Sequence, residues 1–171
     1  MLERKECAAL LAAITTEWTY IEDRLVDVLA SVFGGHAVSD DWSVGLNYSR
    51  FANISIQSLR DIKARVKMVD DVLAELIRDD AVIKSWKILH SECCSCAEQR
   101  NEVVHCKWYY ADELPDALLM RDERTGKFLE WREADFRVIL DRLIACREQA
   151  WMFVQALLEG QRAAGTAPHQ C

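Results

Sequence analysis

Six consecutive residues, Arg100 to His105, combine side chains that could act on a phosphodiester. A histidine titrates near neutral pH, so His105 can take a proton from a ribose 2′-hydroxyl or give one to a departing 5′-oxygen. Arg100 carries a permanent, forked positive charge that suits the negative charge gathering on phosphorus. Asn101 both donates and accepts hydrogen bonds, so it can orient the imidazole or the phosphate. The three residues form a candidate catalytic site for acid–base chemistry.

The helix that must carry these residues has an apolar stripe, and Arg100 falls on it. A guanidinium cannot lose its charge, so this position requires a partner for its donors or a wet cleft beside the core. Exceptions of this kind concentrate at functional sites. The helix is predicted from Val82 to Trp108, and its stripe comprises Val82, Trp86, Leu89, Cys93 and Cys96 or Ala97.

Helix geometry limits how the three side chains can meet. Each residue advances by about 100°, so Asn101 and His105 share a face while Arg100 and His105 diverge by about 140°. The three converge if the helix ends near His105, if the long arginine side chain wraps round, or if a second copy of the chain supplies half of the site. The last case predicts a homodimer.

A purely structural explanation of the same residues stays open. Arg100 could pair with an acidic residue of another helix, such as Glu22 or Glu17. His105 could stabilise the end of its helix, where a cation is favoured.

Four further residues are candidates for substrate binding. Lys107 could contact phosphate, and Trp108 could stack on a base or pack in the core. Arg60 and Lys63 share a helix face with Lys67 and could form a phosphate track. Neighbouring aspartates favour the alternative, an ordinary solvated helix surface.

Seven cysteines, an odd number, favour thiols in a reducing compartment over a disulfide framework. His90 with Cys93 or Cys94 has helical spacing for a zinc site. A structural zinc site normally takes four ligands, largely from turns, so no metal and no cofactor are predicted.

Composition and charge restrict the class of protein. The chain has 171 residues, 51% hydrophobic and 29% charged, which fits one globular domain. Its net charge of −7 provides no general attraction to nucleic acid, so an RNA contact requires a local basic patch. The charge-free run from Cys7 to Thr16 is too short for a membrane span and lacks a signal-peptide cleavage pattern. We therefore expect a cytoplasmic protein with no membrane contact.

Two prolines and six glycines favour long helices. The predicted fold is all-α, an antiparallel up-and-down bundle of about four long helices with a short β-hairpin before the last helix. One domain is expected over residues 1–160, and a disordered tail over 161–171. The predicted segments are a helix at Glu3–Phe33, a loop at His36–Leu46, a helix at Arg50–Arg78, the helix at Val82–Trp108, a hairpin at Ala117–Leu129 and a helix at Glu133–Glu159.

The arrangement of Arg100, the polar Asn101 and His105 near the end of a long helix resembles the R-x4-6-H motif of HEPN domains. The resemblance implies a helical bundle and metal-independent cleavage of RNA through the ribose 2′-hydroxyl. It also implies a dimer with a composite cleft, a role as a toxin or in phage defence, and restraint by an antitoxin or regulatory protein.

Two qualifications accompany the resemblance. HEPN toxins that are modified by a nucleotidyltransferase carry a tyrosine two positions after the histidine, where this chain has Lys107, so control by that modification is not expected. The alternative function is a non-catalytic HEPN-like bundle that binds a nucleotide or a partner protein in the same cleft.

Overall fold

The computed structural model describes residues 5–33 and 42–165, with the backbone alone for residues 42–49, 162, 164 and 165. This part of the chain is mostly helical, as predicted, and it adds a small antiparallel sheet of order β1-β2-β3. None of its helices is both long and apolar enough to cross a bilayer. The elements are α1 (Lys5–Val32), α2 (Trp42–Gln57), α3 (Ile62–Leu76), α4 (Asp80–His105), β1 (Trp108–Tyr109), β2 (Ala117–Arg121), β3 (Phe128–Arg132) and α5 (Glu133–Gly165).

The predicted helix from Arg50 to Arg78 is wrong, because α2 and α3 are separate helices. The Ser58 hydroxyl donates a hydrogen bond to the Ser55 carbonyl at 2.7 Å, at the end of α2. Asp61 is the N-cap of α3, and its carboxylate accepts the Lys63 N–H. Serine and aspartate side chains compete with the helical backbone in this way, so the apolar stripe alone did not reveal the break.

The predicted loop at His36–Leu46 is also partly wrong. Its second part is helical, because α2 begins at Trp42, whereas residues 36–41 lie outside the described residues. The described chain thus has five helices in place of the four predicted.

Helix α4 begins at Asp80, close to the predicted start at Val82. The Asp79 carboxylate accepts the backbone N–H of Ala81 at 2.8 Å and that of Val82 at 3.3 Å, which is the geometry of an N-cap. The far end differs from the prediction, because α4 ends at His105 and not at Trp108. The Trp108 indole N–H bonds the Val103 carbonyl at 2.9 Å and satisfies an acceptor that a longer helix would have used itself.

The predicted hairpin is present as β2 and β3, and β1 is a third strand that the prediction missed. Tyr109 pairs with Leu119 on one side of β2, and Leu119 pairs with Glu130 on the other. Gly126 has a φ of +70°, which side-chain-bearing residues rarely adopt, so the turn before β3 requires it. The Asp122 carboxylate accepts from the Thr125 hydroxyl, the Arg124 N–H and the Thr125 N–H, and these hydrogen bonds lower the pKa of Asp122 below its ordinary value of 3.8.

Two compact units divide the chain, and α1, α4 and α5 contribute residues to both. Within the described residues, the first unit holds 5–20 and 95–145, and the second holds 21–33, 42–94 and 146–165. Buried residues of the first unit are Cys7, Leu10, Ile14, Trp18, Cys96, Ala97, Val103, Ala117, Met120, Phe136, Ile139 and Leu143.

The second unit has a buried core of its own. The Trp86 indole N–H bonds the Asp70 carboxylate at 3.0 Å, and its ring lies 5.6 Å from that of Phe153. Helix α5 continues past Gly160 to Gly165, so the predicted end at Glu159 is too early, and residues 166–171 of the predicted tail lie outside the described residues. The buried residues are Ile21, Leu25, Val26, Val28, Leu29, Ala30, Ser31, Ala52, Ile56, Val66, Val69, Leu73, Trp86, Leu89, Cys93, Cys146, Ala150, Phe153, Val154 and Leu157.

Candidate functional site

The last turns of α4, in the first unit, bring the three predicted catalytic residues together. Arg100 is half-buried at its position on the stripe, while Asn101 and His105 are exposed. The Arg100 Nη1 lies 3.0 Å from Asn101 Oδ1 and 3.1 Å from His105 Nε2. The helix ends at His105 and the long arginine side chain spans the divergence, so the three meet within one chain and need no second copy to do so.

The contact between Arg100 and His105 defines the form of the imidazole. A guanidinium donates hydrogen bonds and cannot accept them, so His105 Nε2 must be the acceptor. The ring in this arrangement is therefore neutral, with its proton on Nδ1. Its Nε2 lone pair points at a cation and is available to a proton donor that displaces the guanidinium.

Asn101 contacts Arg100 and not His105. Its side-chain oxygen accepts from Arg100 Nη1, and its described contacts include no hydrogen bond to His105. The expected role in orienting the imidazole therefore has no contact to support it, whereas a role in orienting Arg100 does.

The structural explanation of Arg100 required a carboxylate partner, and the described chain contains none for it. Its hydrogen bonds go to the two neutral side chains, and its buried Nε has no partner. Glu22, one of the acids considered, instead pairs with Arg65 at 2.6 Å. His105 does occupy the last turn of α4, where a cation would be favoured, but a neutral ring that accepts from Arg100 supplies no such charge.

A cleft of about 450 Å³ lies beside His105 and is built by the end of α4, the residues that follow it, β1, the end of β2 and the start of the hairpin turn. The predicted binding residue Lys107 lines it and lies two positions after the end of α4. Its lining residues are Glu102, His105, Cys106, Lys107, Tyr109, Arg121 and Glu123.

Two positively and two negatively charged side chains line this cleft, and they are Lys107, Arg121, Glu102 and Glu123. Each is exposed, and within the described chain none of them forms an ion pair with another residue. Elsewhere exposed charges do pair, as Lys67 does with Asp71 at 2.8 Å. The cleft therefore presents two cations and two anions to solvent.

Cys106 also lines the cleft, and its thiol has a raised pKa. Burial raises the pKa of Cys106, a backbone hydrogen bond lowers it by less, and the nearby Glu102 carboxylate makes the smallest contribution, which raises it. The thiol donates to the Val103 carbonyl at 3.4 Å. At neutral pH it stays protonated, whereas a cysteine nucleophile must be a thiolate.

Trp108 lies in an aromatic cluster formed with Trp131 and Phe136, whose ring centroids are 5.2 to 5.8 Å apart. Its indole N–H donates to the Val103 carbonyl, and its ring packs against the two other rings of the cluster. This supports the packing role that was considered beside base stacking.

Arg60 and Lys63 are exposed residues of the second unit, whereas His105 and the cleft belong to the first. They are not among the residues that line the cleft. Their neighbour Lys67 pairs with Asp71, which supports the solvated-surface explanation for this face.

No disulfide links the cysteines of the described chain. Over the same residues, no three His, Cys, Asp or Glu side chains gather as a metal site would require. The Sγ atoms of the buried Cys93 and Cys146 lie 3.6 Å apart, on α4 and α5.

The prediction missed Tyr109, Arg121, Glu102 and Glu123 as residues of the cleft. Three consecutive aromatic residues after a helix, at 108–110, favour a strand and were the available signal for β1. Nothing local marks Arg121 or Glu123, because the hairpin brings them to His105 from at least sixteen positions away.

Comparisons of the chain with protein-family models, with curated proteins and with solved structures found no match.

Proposed function

We propose that the protein is a metal-independent endoribonuclease of the HEPN type, with Arg100 and His105 as its catalytic residues. The observation that carries the proposal is the 3.1 Å contact between Arg100 Nη1 and His105 Nε2, made by an arginine that has no carboxylate partner in the described chain. Because no carboxylate neutralises this arginine, its charge can bind an anionic ligand. The imidazole beside it is neutral and able to accept a proton.

The proposed reaction begins with the ribose 2′-hydroxyl replacing Arg100 as the donor to His105 Nε2. The proton passes to Nε2 while the 2′-oxygen forms a bond to phosphorus and the bond from phosphorus to the 5′-oxygen breaks. The displaced guanidinium bonds the phosphate oxygens, where negative charge develops. Asn101 holds the guanidinium from its other side at 3.0 Å.

The leaving 5′-oxygen needs a proton from the side opposite the attacking oxygen, because the two lie in line across phosphorus. His105 of a second copy, in its protonated imidazolium form, would supply that proton in a composite cleft. This is the physical reason to include a homodimer in the proposal. Light scattering tests it, with an expected mass of twice the 19.6 kDa chain.

Lys107 and Arg121 provide the local positive charge that an acidic protein needs for RNA. Both line the cleft beside His105 and are unpaired with any described carboxylate. They can bind the phosphates that flank the reacting one.

The resemblance of Arg100, Asn101 and His105 to the HEPN motif supports the same reaction. It brings to the proposal an antiparallel helical bundle, a cytoplasmic toxin or phage-defence role, and restraint by an antitoxin or regulatory protein.

Cleavage of a labelled RNA panel in EDTA tests the proposal. We expect His105→Ala and Arg100→Ala each to lower the cleavage rate by about a hundredfold or more, with unchanged circular dichroism. A DNA panel of the same sequences should stay uncut, since it lacks the 2′-hydroxyl.

The matched control is Arg78→Ala, which removes an exposed arginine of the second unit and should leave the rate unchanged. Equal cleavage by wild type and both site variants would identify a contaminating nuclease and contradict the proposal.

A second candidate, binding of a nucleotide or partner protein without cleavage, is favoured by Glu102 and Glu123. Two carboxylates in the cleft repel a polyanion but suit a small ligand with hydrogen-bond donors. Under this function the wild type binds mononucleotides and leaves the whole RNA panel intact.

A further inference from the structure

We infer that the cleft beside His105 recognises a guanine base, with Glu102 as the residue that determines specificity and Tyr109 as the ring on which the base stacks. This inference deepens the proposed function and rests on the same cleft as the site of RNA contact. It starts from the two carboxylates that the cleavage reaction does not use.

Glu102 is the better placed of the two carboxylates. It lies three residues before His105 on α4, so the two side chains are neighbours on the helix surface. Its charge also reaches Cys106 one turn later, where it contributes to the raised pKa of that thiol. Glu123 instead lies in the turn between β2 and β3, outside both strands. A carboxylate on a helix is held more rigidly than one on a turn, and rigid donors and acceptors discriminate better.

An ionised carboxylate only accepts hydrogen bonds, so it selects ligand groups that donate. The lining cations Lys107 and Arg121 do not bond it in this structure. Among the RNA bases, guanine alone presents two adjacent donors, N1–H and the N2 amino group, on its Watson–Crick edge. The two oxygens of one carboxylate accept both, whereas adenine and cytosine place an acceptor next to their amino group and uracil has a single donor.

Tyr109 supplies the surface on which such a base would rest. Its ring lines the cleft, and the residue is 38% exposed. The Phe128 ring packs edge-on against it at 5.4 Å, and pairing with Leu119 holds its backbone in β1. Stacking on an aromatic ring is tolerant of sequence, so Tyr109 adds affinity for any base while Glu102 distinguishes guanine.

The phosphate and the base would therefore be bound by different residues. Lys107 and Arg121 bind the anionic part of the ligand, and Glu102 binds the donors of the base. This division explains why unpaired charges of both signs occupy one cleft of about 450 Å³.

Equilibrium binding of the four ribonucleoside 3′-monophosphates in EDTA tests the inference without any cleavage. We expect the full-length wild type to bind 3′-GMP about tenfold more tightly than 3′-AMP, 3′-CMP or 3′-UMP. Glu102→Gln should remove this preference and leave the affinity for the other three nucleotides similar. Tyr109→Ala should weaken all four by a comparable factor.

The matched control is Glu113→Gln, which changes an exposed glutamate of the same unit outside the cleft and should keep the preference. Equal binding of the four nucleotides by wild type would overturn the inference, as would a preference that survives in Glu102→Gln. His105→Ala separates this result from the proposed function, because that variant loses cleavage but should still prefer 3′-GMP. A guanine preference in a protein that cuts no RNA would support the inference and contradict the nuclease.

Discussion

Arg65 and Arg100 are both half-buried arginines on helices, yet their surroundings differ in kind. Arg65 donates to the Glu22 carboxylate at 2.6 Å and to the Leu59 carbonyl at 2.9 Å, with 11% of its side chain exposed. Arg100 donates to a neutral amide and a neutral imidazole, and its Nε has no partner. The charge of Arg65 is compensated inside the fold. Arg100 has no carboxylate partner in the described chain and contacts His105, which lines the cleft.

The two arginines differ in whether an acidic side chain of the described chain neutralises the guanidinium. A buried charge that is paired with an acid is part of what holds the fold. A charge with no acid nearby contributes little to folding and is available to an anion. Mutations at the two positions should therefore affect different properties.

Arg65→Met should cause the largest loss of stability, about 2–4 kcal/mol, because it leaves the Glu22 carboxylate partly buried and unpaired. Urea unfolding measures it. The control is Lys67→Met, whose exposed pair with Asp71 should matter little. A loss no larger than that of the control would remove the distinction drawn for Arg65.

Trp108→Phe should cost about 1 kcal/mol, because the ring stays in the aromatic cluster while the Val103 carbonyl loses its indole donor. Thermal unfolding measures the change. Trp151→Phe, at a tryptophan that is 42% exposed, serves as the control and should have a smaller effect. Identical midpoints for Trp108→Phe and wild type would show that this hydrogen bond does not stabilise the end of α4.

Arg100→Met should change stability by less than about 1 kcal/mol, because no described carboxylate depends on the guanidinium. Urea unfolding of this variant beside Arg65→Met gives the contrast directly. A loss as large as that of Arg65→Met would mean that Arg100 is also structural and would weaken the catalytic assignment.

Asp122→Asn should have the smallest effect, and one that depends on pH. Hydrogen bonds, from the Thr125 hydroxyl first, lower the pKa of Asp122 in the folded state below 3.8. The stabilisation by the carboxylate is therefore present above the unfolded pKa and is lost as the pH falls through the folded pKa. Unfolding midpoints of wild type and variant should differ at pH 7 and converge in stronger acid, and a difference that persists unchanged there would contradict this.

The sequence identified the unusual position of Arg100 but not the partner of Asn101, and the catalytic roles of these residues and of His105 stay predictions. Arg100 was identified by its place on an apolar stripe, and the structure shows an uncompensated guanidinium there. Asn101 shares a face with His105, yet its amide bonds Arg100, because the long arginine side chain wraps round the helix to both. Side-chain reach of this kind is invisible to a count of residues per turn.

Local patterns determined the helical class, the buried stripe of α4 and the hairpin before α5. Each depends on residues within a few positions of one another, so the sequence by itself contains the information. Tertiary structure alone decided that Glu22 pairs with Arg65 and not with Arg100, that Trp108 ends α4, and that Arg121 and Glu123 join His105 in one cleft. These outcomes depend on which distant side chains meet when the chain packs, and no local periodicity encodes that choice.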